Sequence, residues 1–508
     1  MKRASIPSHS DSPGRSQGRS GRHSRPFYRR PWLLAVLALL ILYGVVVVYQ
    51  THKPLPPGVS FEGTVHYVPD GSLELLTDLT HRDASGGQQV EQQIFERMFQ
   101  AIGNARQFIV LDMFLYNGYA NKGQSYPPLS RKMTDKLIQQ KKRYPELAAV
   151  VITDDVNTSY GSHDDPELEL LKRAGIQVSI TNVNPLRDSN PLYTAAWRMT
   201  AGWFGQHGKG WLPNKMASEA PDMTLRSYLK LVNAKANHRK VLITEKELVL
   251  ASANAHDSSF YNSNSGYAVS GSSGLIGEAL RTEQAALDLS RAGIRLPDAP
   301  PPAAAESAAQ GTVGVQLLTE GKIRKHVLAD LKEAGAGDTV WMGMFYLADR
   351  SVVRALLDAS GRGAEIRLIL DPNEVAFGNS KIGIPNRPVA QELANKSDGN
   401  IQIRWYNTDK EQYHVKAMLI AGPEGSVIHN GSANFTARNL DDLNLESNLR
   451  ITAPSGSRAA MEAEAYFQRL WSNEDAPYTA EYGQYENDTV WIKRVLYRVQ
   501  DLLGFTTF

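Results

Sequence analysis

Two distant stretches of this chain run through the same series of elements, which restricts the fold to one that two similar halves can build together. Leu73 to Asp78 reads LELLTD, and Val315 to Glu320 reads VQLLTE. Each is followed by a stretch with apolar residues at spacings of three and four, Val90 to Ile102 and Ile323 to Ala334, which predicts a helix. Each helix leads to a strand, FIVLDMFLY from Phe108 and TVWMGMFYL from Thr339, and the two share a Met-Phe core. Buried strands follow at Ala148 (AAVVITDD) and Ala364 (AEIRLILDP), then at Ile176 (IQVSI) and Ile401 (IQIRWY). Strands alternating with helices at this pitch predict βαβ units. The expected fold is therefore α/β, with two duplicated halves, each a mostly parallel helix-flanked sheet, packed with pseudo-twofold symmetry.

Each half closes on a similar phrase, NHRKVLITEKELVLASAN from Asn237 and YHVKAMLIAGPEGSVIHNGSAN from Tyr413. Both read H-x-K, an apolar run, a turn, a second apolar run and S-A-N. Residues i and i+2 of a strand share a face, so His238 points with Lys240 and His414 with Lys416. The return strand can bring Ser252 and Asn254, or Ser432 and Asn434, towards the same patch. Such a set suits phosphoryl chemistry: one imidazole attacks phosphorus, a cation and an amide hold the non-bridging oxygens, and a second imidazole protonates the leaving alkoxide. One half supplies one imidazole, so two halves facing each other supply both. A third H-x-K, at His207 to Lys209, leads into Gly-Trp-Leu-Pro and has neither strand nor S-x-N.

The paired pattern resembles the phospholipase D superfamily, whose signature is H-x-K-x4-D followed by G-S-x-N, over nearly everything after residue 70. The resemblance implies that His238 and His414 are the catalytic pair, that Lys240, Lys416, Asn254 and Asn434 bind phosphate with Ser252 and Ser432 in support, and that the reaction passes through a phosphohistidine without metal or cofactor. The family's aspartate is Glu245 in the first copy and Ala421 in the second, and the glycine before the serine is Ala251 in the first. Glu446, in NLESNL, stands where the family has an acid orienting its own half's histidine, and Asn264 is the first-half counterpart. On that reading only His414 has a carboxylate to raise its basicity. Family habit favours His238 as nucleophile and this asymmetry favours His414, so both assignments stand.

Trp32 to Tyr49 is uncharged and long enough to cross a bilayer as a tilted helix. Eight Lys and Arg precede it against the single acid Asp11, which by the positive-inside rule places the tail in the cytoplasm and the rest outside, on a single-pass inner-membrane protein. A cleaved signal peptide is the competing reading, and VVVVYQTHKP lacks its small-x-small site. With a net charge of +2 the whole chain gives no reason for a polyanionic partner, and without cysteine it holds no disulfide, thiolate site or thiol nucleophile. The expected segments are a disordered basic tail at 1–31, the anchor at 32–50, a stalk at 51–70, the first half at 71–295, a Pro/Ala-rich linker at 296–312, the second half at 313–475 and an amphipathic helix at 476–508.

Two features bear on substrate. An insertion from Pro191 carries Trp197, Trp203, Phe204 and Trp211 among Arg198, Lys209 and Lys215, a composition that suits a bilayer interface, a lid, or single-stranded nucleic acid. The carboxyl-terminal DTVWIKRVLYRVQDLLGF places Trp491, Val495, Val499 and Leu502 on one helical face, for an anionic membrane or for the catalytic body. The leading expectation is a membrane-anchored phospholipase D or cardiolipin-synthase-like phosphatidyltransferase with phospholipid substrate and the bilayer as partner. The rivals are a membrane-tethered nuclease and a degenerate lipid-binding scaffold.

Overall fold

The computed structural model describes residues 31–83, 85–301, 311–376, 379–485 and Lys493. The basic tail at 1–30, most of the linker (302–310) and, of the expected carboxyl-terminal helix, residues 486–492 and 494–508 lie outside the described residues. A first unit extends to Val46 and a second begins at Val47. The apolar helix Pro31–His52 has 22 residues and a mean hydropathy of 2.7 over its most apolar window. At about 1.5 Å per residue that length matches the roughly 30 Å of a bilayer core.

The second unit holds two sheets. Strands are numbered along the chain: β1 His66–Val68, β2 Leu73–Arg82, β3 Gln88–Glu91, β4 Phe108–Met113, β5 Ala148–Thr153, β6 Gln177–Ile180, β7 Lys240–Thr244, β8 Glu247–Ala251, β9 Asn264–Ser270, β10 Val313–Thr319, β11 Thr339–Met344, β12 Glu365–Leu370, a small ribbon of β13 Val375–Ala376 and β14 Asn379–Ser380, β15 Ile401–Tyr406, β16 Lys416–Ala421, β17 Gly425–Gly431, β18 Ser447–Pro454 and β19 Thr479–Glu481. The first sheet runs β3-β2-β9-β8-β7-β4-β5-β6 and the second β1-β10-β18-β17-β16-β11-β12-β15-β19. Apart from the edge strands β3, β1 and β19 the two orders coincide, so the duplication read in the sequence is a duplication of topology.

The sheets are mixed, not mostly parallel as expected. Parallel pairing is confined to β4-β5-β6 and β11-β12-β15. These neighbouring strands are joined through helical crossovers, which parallel pairing requires; the H-x-K and S-x-N strands are hairpin partners and pair antiparallel. The first predicted helix also starts later, at Ile94, because Gln88–Glu91 extends the edge of β2 instead.

Both faces of both sheets are covered, which is why the central strands read as unbroken apolar runs. Val241 and Ile243 of β7 point inward with Ala417 and Leu419 of β16 into a core between the sheets, while Leu242 and Met418 point outward under separate helical layers. The inner core is completed by helices Ser273–Leu289 and Arg458–Ser472, one closing each half, through Leu280, Leu287, Phe467 and Leu470. Each buried Leu or Ile contributes roughly 1.5–3 kcal/mol.

The halves are stitched at equivalent points. His238 N donates to Leu445 O at 2.8 Å and Leu445 N to Ala236 O at 3.0 Å; in mirror fashion His414 N donates to Ser263 O at 2.8 Å and Ser263 N to Gln412 O at 2.9 Å. Beneath this seam Arg239, 1% exposed in its side chain, reaches Glu320 of the other half at 2.7 Å and Glu283 at 3.3 Å. The segment expected as a stalk joins the second sheet instead: β1 pairs with β10, and Gly63 N donates to Leu317 O at 2.8 Å. Likewise the start of the expected terminal helix is the strand β19, paired with β15.

Candidate active site

The paired H-x-K strands enter from opposite halves and end at one cavity of about 320 Å3, lined by His238, His414, Asn254 and Asn434 together with Phe114 and Phe345. All four of these polar residues come from the expected site. Lys240 and Lys416 are fully buried beside their histidines, with Nζ donating to the carbonyl of His238 at 2.7 Å and of His414 at 2.6 Å. Each ammonium sits over a ring, Lys240 at 4.9 Å from Phe114 and Lys416 at 5.2 Å from Phe345. The same rings flank the imidazoles, at 4.7 Å for His238 and 5.1 Å for His414. Phe114 and Phe345 belong to the repeated Met-Phe pair, and its recurrence at one offset in both halves was the signal of their place here.

The orienting groups are exchanged between halves, contrary to the expectation that Glu446 serves His414. Glu446 meets Nδ1 of His238 at 3.0 Å, and the Asn264 amide oxygen meets Nδ1 of His414 at 3.1 Å. The exchange follows from the seam: the segment carrying Glu446 lies alongside 236–238, and that carrying Asn264 alongside 412–414. The carboxylate therefore favours the first-half imidazole.

The serines lie deeper than expected and do not line the cavity. Ser432 donates its hydroxyl to Glu446 at 2.5 Å and Ser252 to Asn264 at 3.0 Å, so each braces the group that orients the opposite histidine. Asn439 also donates to Glu446. Glu245 caps the backbone of the 106–108 turn, accepting from Arg106 N at 2.8 Å, a bracing role far from the chemistry. His207 and Lys209 of the third H-x-K sit in an exposed loop.

Burial and the two lysines hold both imidazoles well below their usual pKa, so both are neutral in the free protein. Burial brings Lys240 down to about 7, against the pull of Glu446, and takes Lys416 well below the ordinary lysine range. Burial also pushes Glu446 up to about 7, opposed by Lys240 and by its hydrogen bonds from Ser432 and Asn439. A negatively charged phosphodiester entering this cavity would favour the protonated lysines.

The insertion walls one side of the cavity through Met216 and Ala217. Trp197 is buried within it and Arg198 is paired with Asp188 at 2.7 Å, while Trp203, Phe204 and Trp211 stand exposed at 81%, 62% and 66%.

Residues 327–471 match the family described as the cardiolipin synthase, PLD-like domain. No curated protein matches the chain. The fold is similar to that of phosphatidylserine synthase from Haemophilus influenzae, with a TM-score of 0.54 at 11% identity over 91% of this chain and 98% of that one. The phospholipase D family member Nuc from Salmonella typhimurium aligns over 34% of this chain and 98% of its own at 20% identity and a TM-score of 0.26. The family match lies on the second of two halves that are built to one strand order and that each end their H-x-K strand at the same cavity.

Proposed function

We propose that this protein is a membrane-anchored phosphodiesterase or phosphatidyltransferase acting on phospholipids, with His238 as nucleophile and His414 as general acid and base. The observation that carries the reading is the exchanged pair of Nδ1 contacts over one cavity. With Nδ1 engaged, Nε2 of each ring is the nitrogen left for phosphorus or for the leaving oxygen. Neutral His238 forms the P–N bond while the P–O bond to the headgroup breaks. His414 takes up a proton on Nε2 as the anionic phosphodiester binds, and the headgroup oxygen, which keeps the electron pair, receives that proton. Then His414, now neutral, removes a proton from water or an acceptor alcohol as its oxygen displaces His238. Glu446 stabilises the positive charge that grows on His238 as the P–N bond forms. Asn264 is a neutral acceptor, so it fixes the His414 ring without raising its hold on the proton it must give up. Lys240, Lys416, Asn254 and Asn434 hold the non-bridging oxygens.

A lipid substrate is supported by the exposed Trp203, Phe204 and Trp211, side chains that favour the headgroup region of a bilayer. The chain leaving the apolar helix is tied to the segment that opens into this insertion, by Asp188 N to Gln50 O at 3.1 Å and Arg187 Nε to Lys53 O at 3.0 Å. The anchor crosses the inner membrane with the basic tail inside and the catalytic body outside.

The reading is tested by mass spectrometry of products from mixed phospholipid vesicles, with and without glycerol. Phosphatidic acid marks hydrolysis and a new phosphatidyl alcohol marks transfer; cleavage of an added single-stranded oligonucleotide with all lipids intact would overturn the lipid assignment. The pH profile tests the roles. Burial brings Glu446 and Lys240 both to about 7, so kcat/KM should trace a narrow bell around that pH, rising as the carboxylate forms and falling as Lys240 loses its proton. Glu446→Gln should lower kcat about 100-fold and abolish the rising limb while leaving the falling one. A rising limb unchanged in that variant would remove Glu446 from the chemistry.

A further inference from the structure

Two further cations line the cavity, Lys235 buried and Arg438 half-buried with its Nε enclosed, and they differ in how their charge is met. Lys235 is fully paired, with Nζ at 2.9 Å from Asp188 and at 2.9 Å from Leu186 O. Arg438 is not: among the described residues no carboxylate pairs with it, no hydrogen bond engages its guanidinium, and its Nε is enclosed without a partner. Burial brings its pKa to about 10, with only the Tyr160 hydroxyl acting against that shift, so it remains cationic at neutral pH. An unpaired, half-buried guanidinium loses part of its hydration without a countercharge to replace it, a loss that an anion entering the cavity would offset.

Its position shows which anion. Arg438 stands four residues beyond Asn434, where the first half has Ser258, whose hydroxyl is spent on Tyr119 O at 3.0 Å. The extra cation thus adds to the asymmetry already set by Glu446 and Asn264, as an unsymmetrical ligand requires. A phosphodiester carries a single negative charge, and two lysines and two asparagines already surround the place where it reacts. A guanidinium is moreover the side chain suited to holding a phosphate or carboxylate by paired hydrogen bonds.

We infer that Arg438, with Tyr160 beside it, forms a subsite for a second anionic group, a phosphate or carboxylate carried by the alcohol portion of the substrate, either the departing headgroup or the incoming acceptor. The inference rests on the phosphodiester chemistry proposed above. It is tested on the full chain in detergent with Arg438→Met. For the headgroup source, phosphatidylserine is compared with phosphatidylcholine; for the acceptor source, transfer from phosphatidylcholine to sn-glycerol 3-phosphate is compared with transfer to glycerol. The variant should lose about 10- to 100-fold in kcat/KM in whichever arm carries the second anion, and keep wild-type values with phosphatidylcholine and glycerol. Parallel loss in all arms would place Arg438 on the reacting phosphate and overturn the subsite, as would no loss in any. Because the change removes an unpaired, half-buried charge, the melting temperature of the variant should equal or exceed that of wild type, which separates lost recognition from lost fold. Binding of sn-glycerol 3-phosphate by calorimetry needs no turnover: weakening of about tenfold or more in the variant supports the subsite even if wild type hydrolyses no lipid, and unchanged affinity overturns it.

Discussion

His238→Ala should lower turnover by about 10,000-fold or more without unfolding the protein, because the step it removes has no substitute in the cavity. The other imidazole cannot take over. His414 is held by Asn264, a neutral acceptor, and lies on the opposite side of the phosphorus in the proposed reaction. His414→Ala should be equally damaging on a phospholipid but not on an activated ester. A p-nitrophenolate departs without protonation, so the first step survives and only the second, which needs a base, stalls. Burst kinetics with a p-nitrophenyl phosphodiester check this: one equivalent of nitrophenol is released by His414→Ala and none by His238→Ala. Equal steady turnover in both variants would contradict the division of roles.

The second large effect is on stability. Arg239→Met should destabilise the body by about 3–5 kcal/mol, measured as a drop in the urea midpoint, since it leaves Glu320 and Glu283 buried with their countercharge removed. Nearby Asp112 is itself pushed well above the usual carboxylate range by burial and by Glu283. Arg295→Ala, at the exposed pair with Asp288, should change stability by less than about 1 kcal/mol and serves as the control. A midpoint for Arg239→Met as small as that of the control would mean that the seam does not depend on this ion pair.

How much of this was legible in the sequence depended on whether a feature is local. The repeated strands, their Met-Phe pair and the two H-x-K hairpins are patterns within a few residues, and the structure reproduces them at matched points. The convergence of His238 and His414 needed one further step, that two like halves face each other. What the sequence could not carry is the path of the seam. Which histidine Glu446 serves is decided by the pairing of Asn237 with Leu445 and of Ser263 with Tyr413, contacts between segments far apart in the chain. The depth of Ser252 and Ser432 follows from the same crossing, because each bonds the group it lifts towards the other half. The share of antiparallel pairing was legible in principle, since a hairpin dictates it, but the alternation of helices and strands drew the reading towards parallel sheets. Arg438 gave no signal at all, because a single arginine past an S-x-N motif gains meaning only when its surroundings are seen to hold no countercharge.

The central claim is that His238 makes the bond to phosphorus. The direct measurement is acid-free quenching of the His414→Ala variant with a radiolabelled p-nitrophenyl phosphodiester, followed by peptide mapping of the labelled histidine. The account predicts label on the peptide containing His238 and its absence after His238→Ala is added. Label on the wild-type peptide containing His414, or turnover with no labelled histidine at any time point, would contradict it.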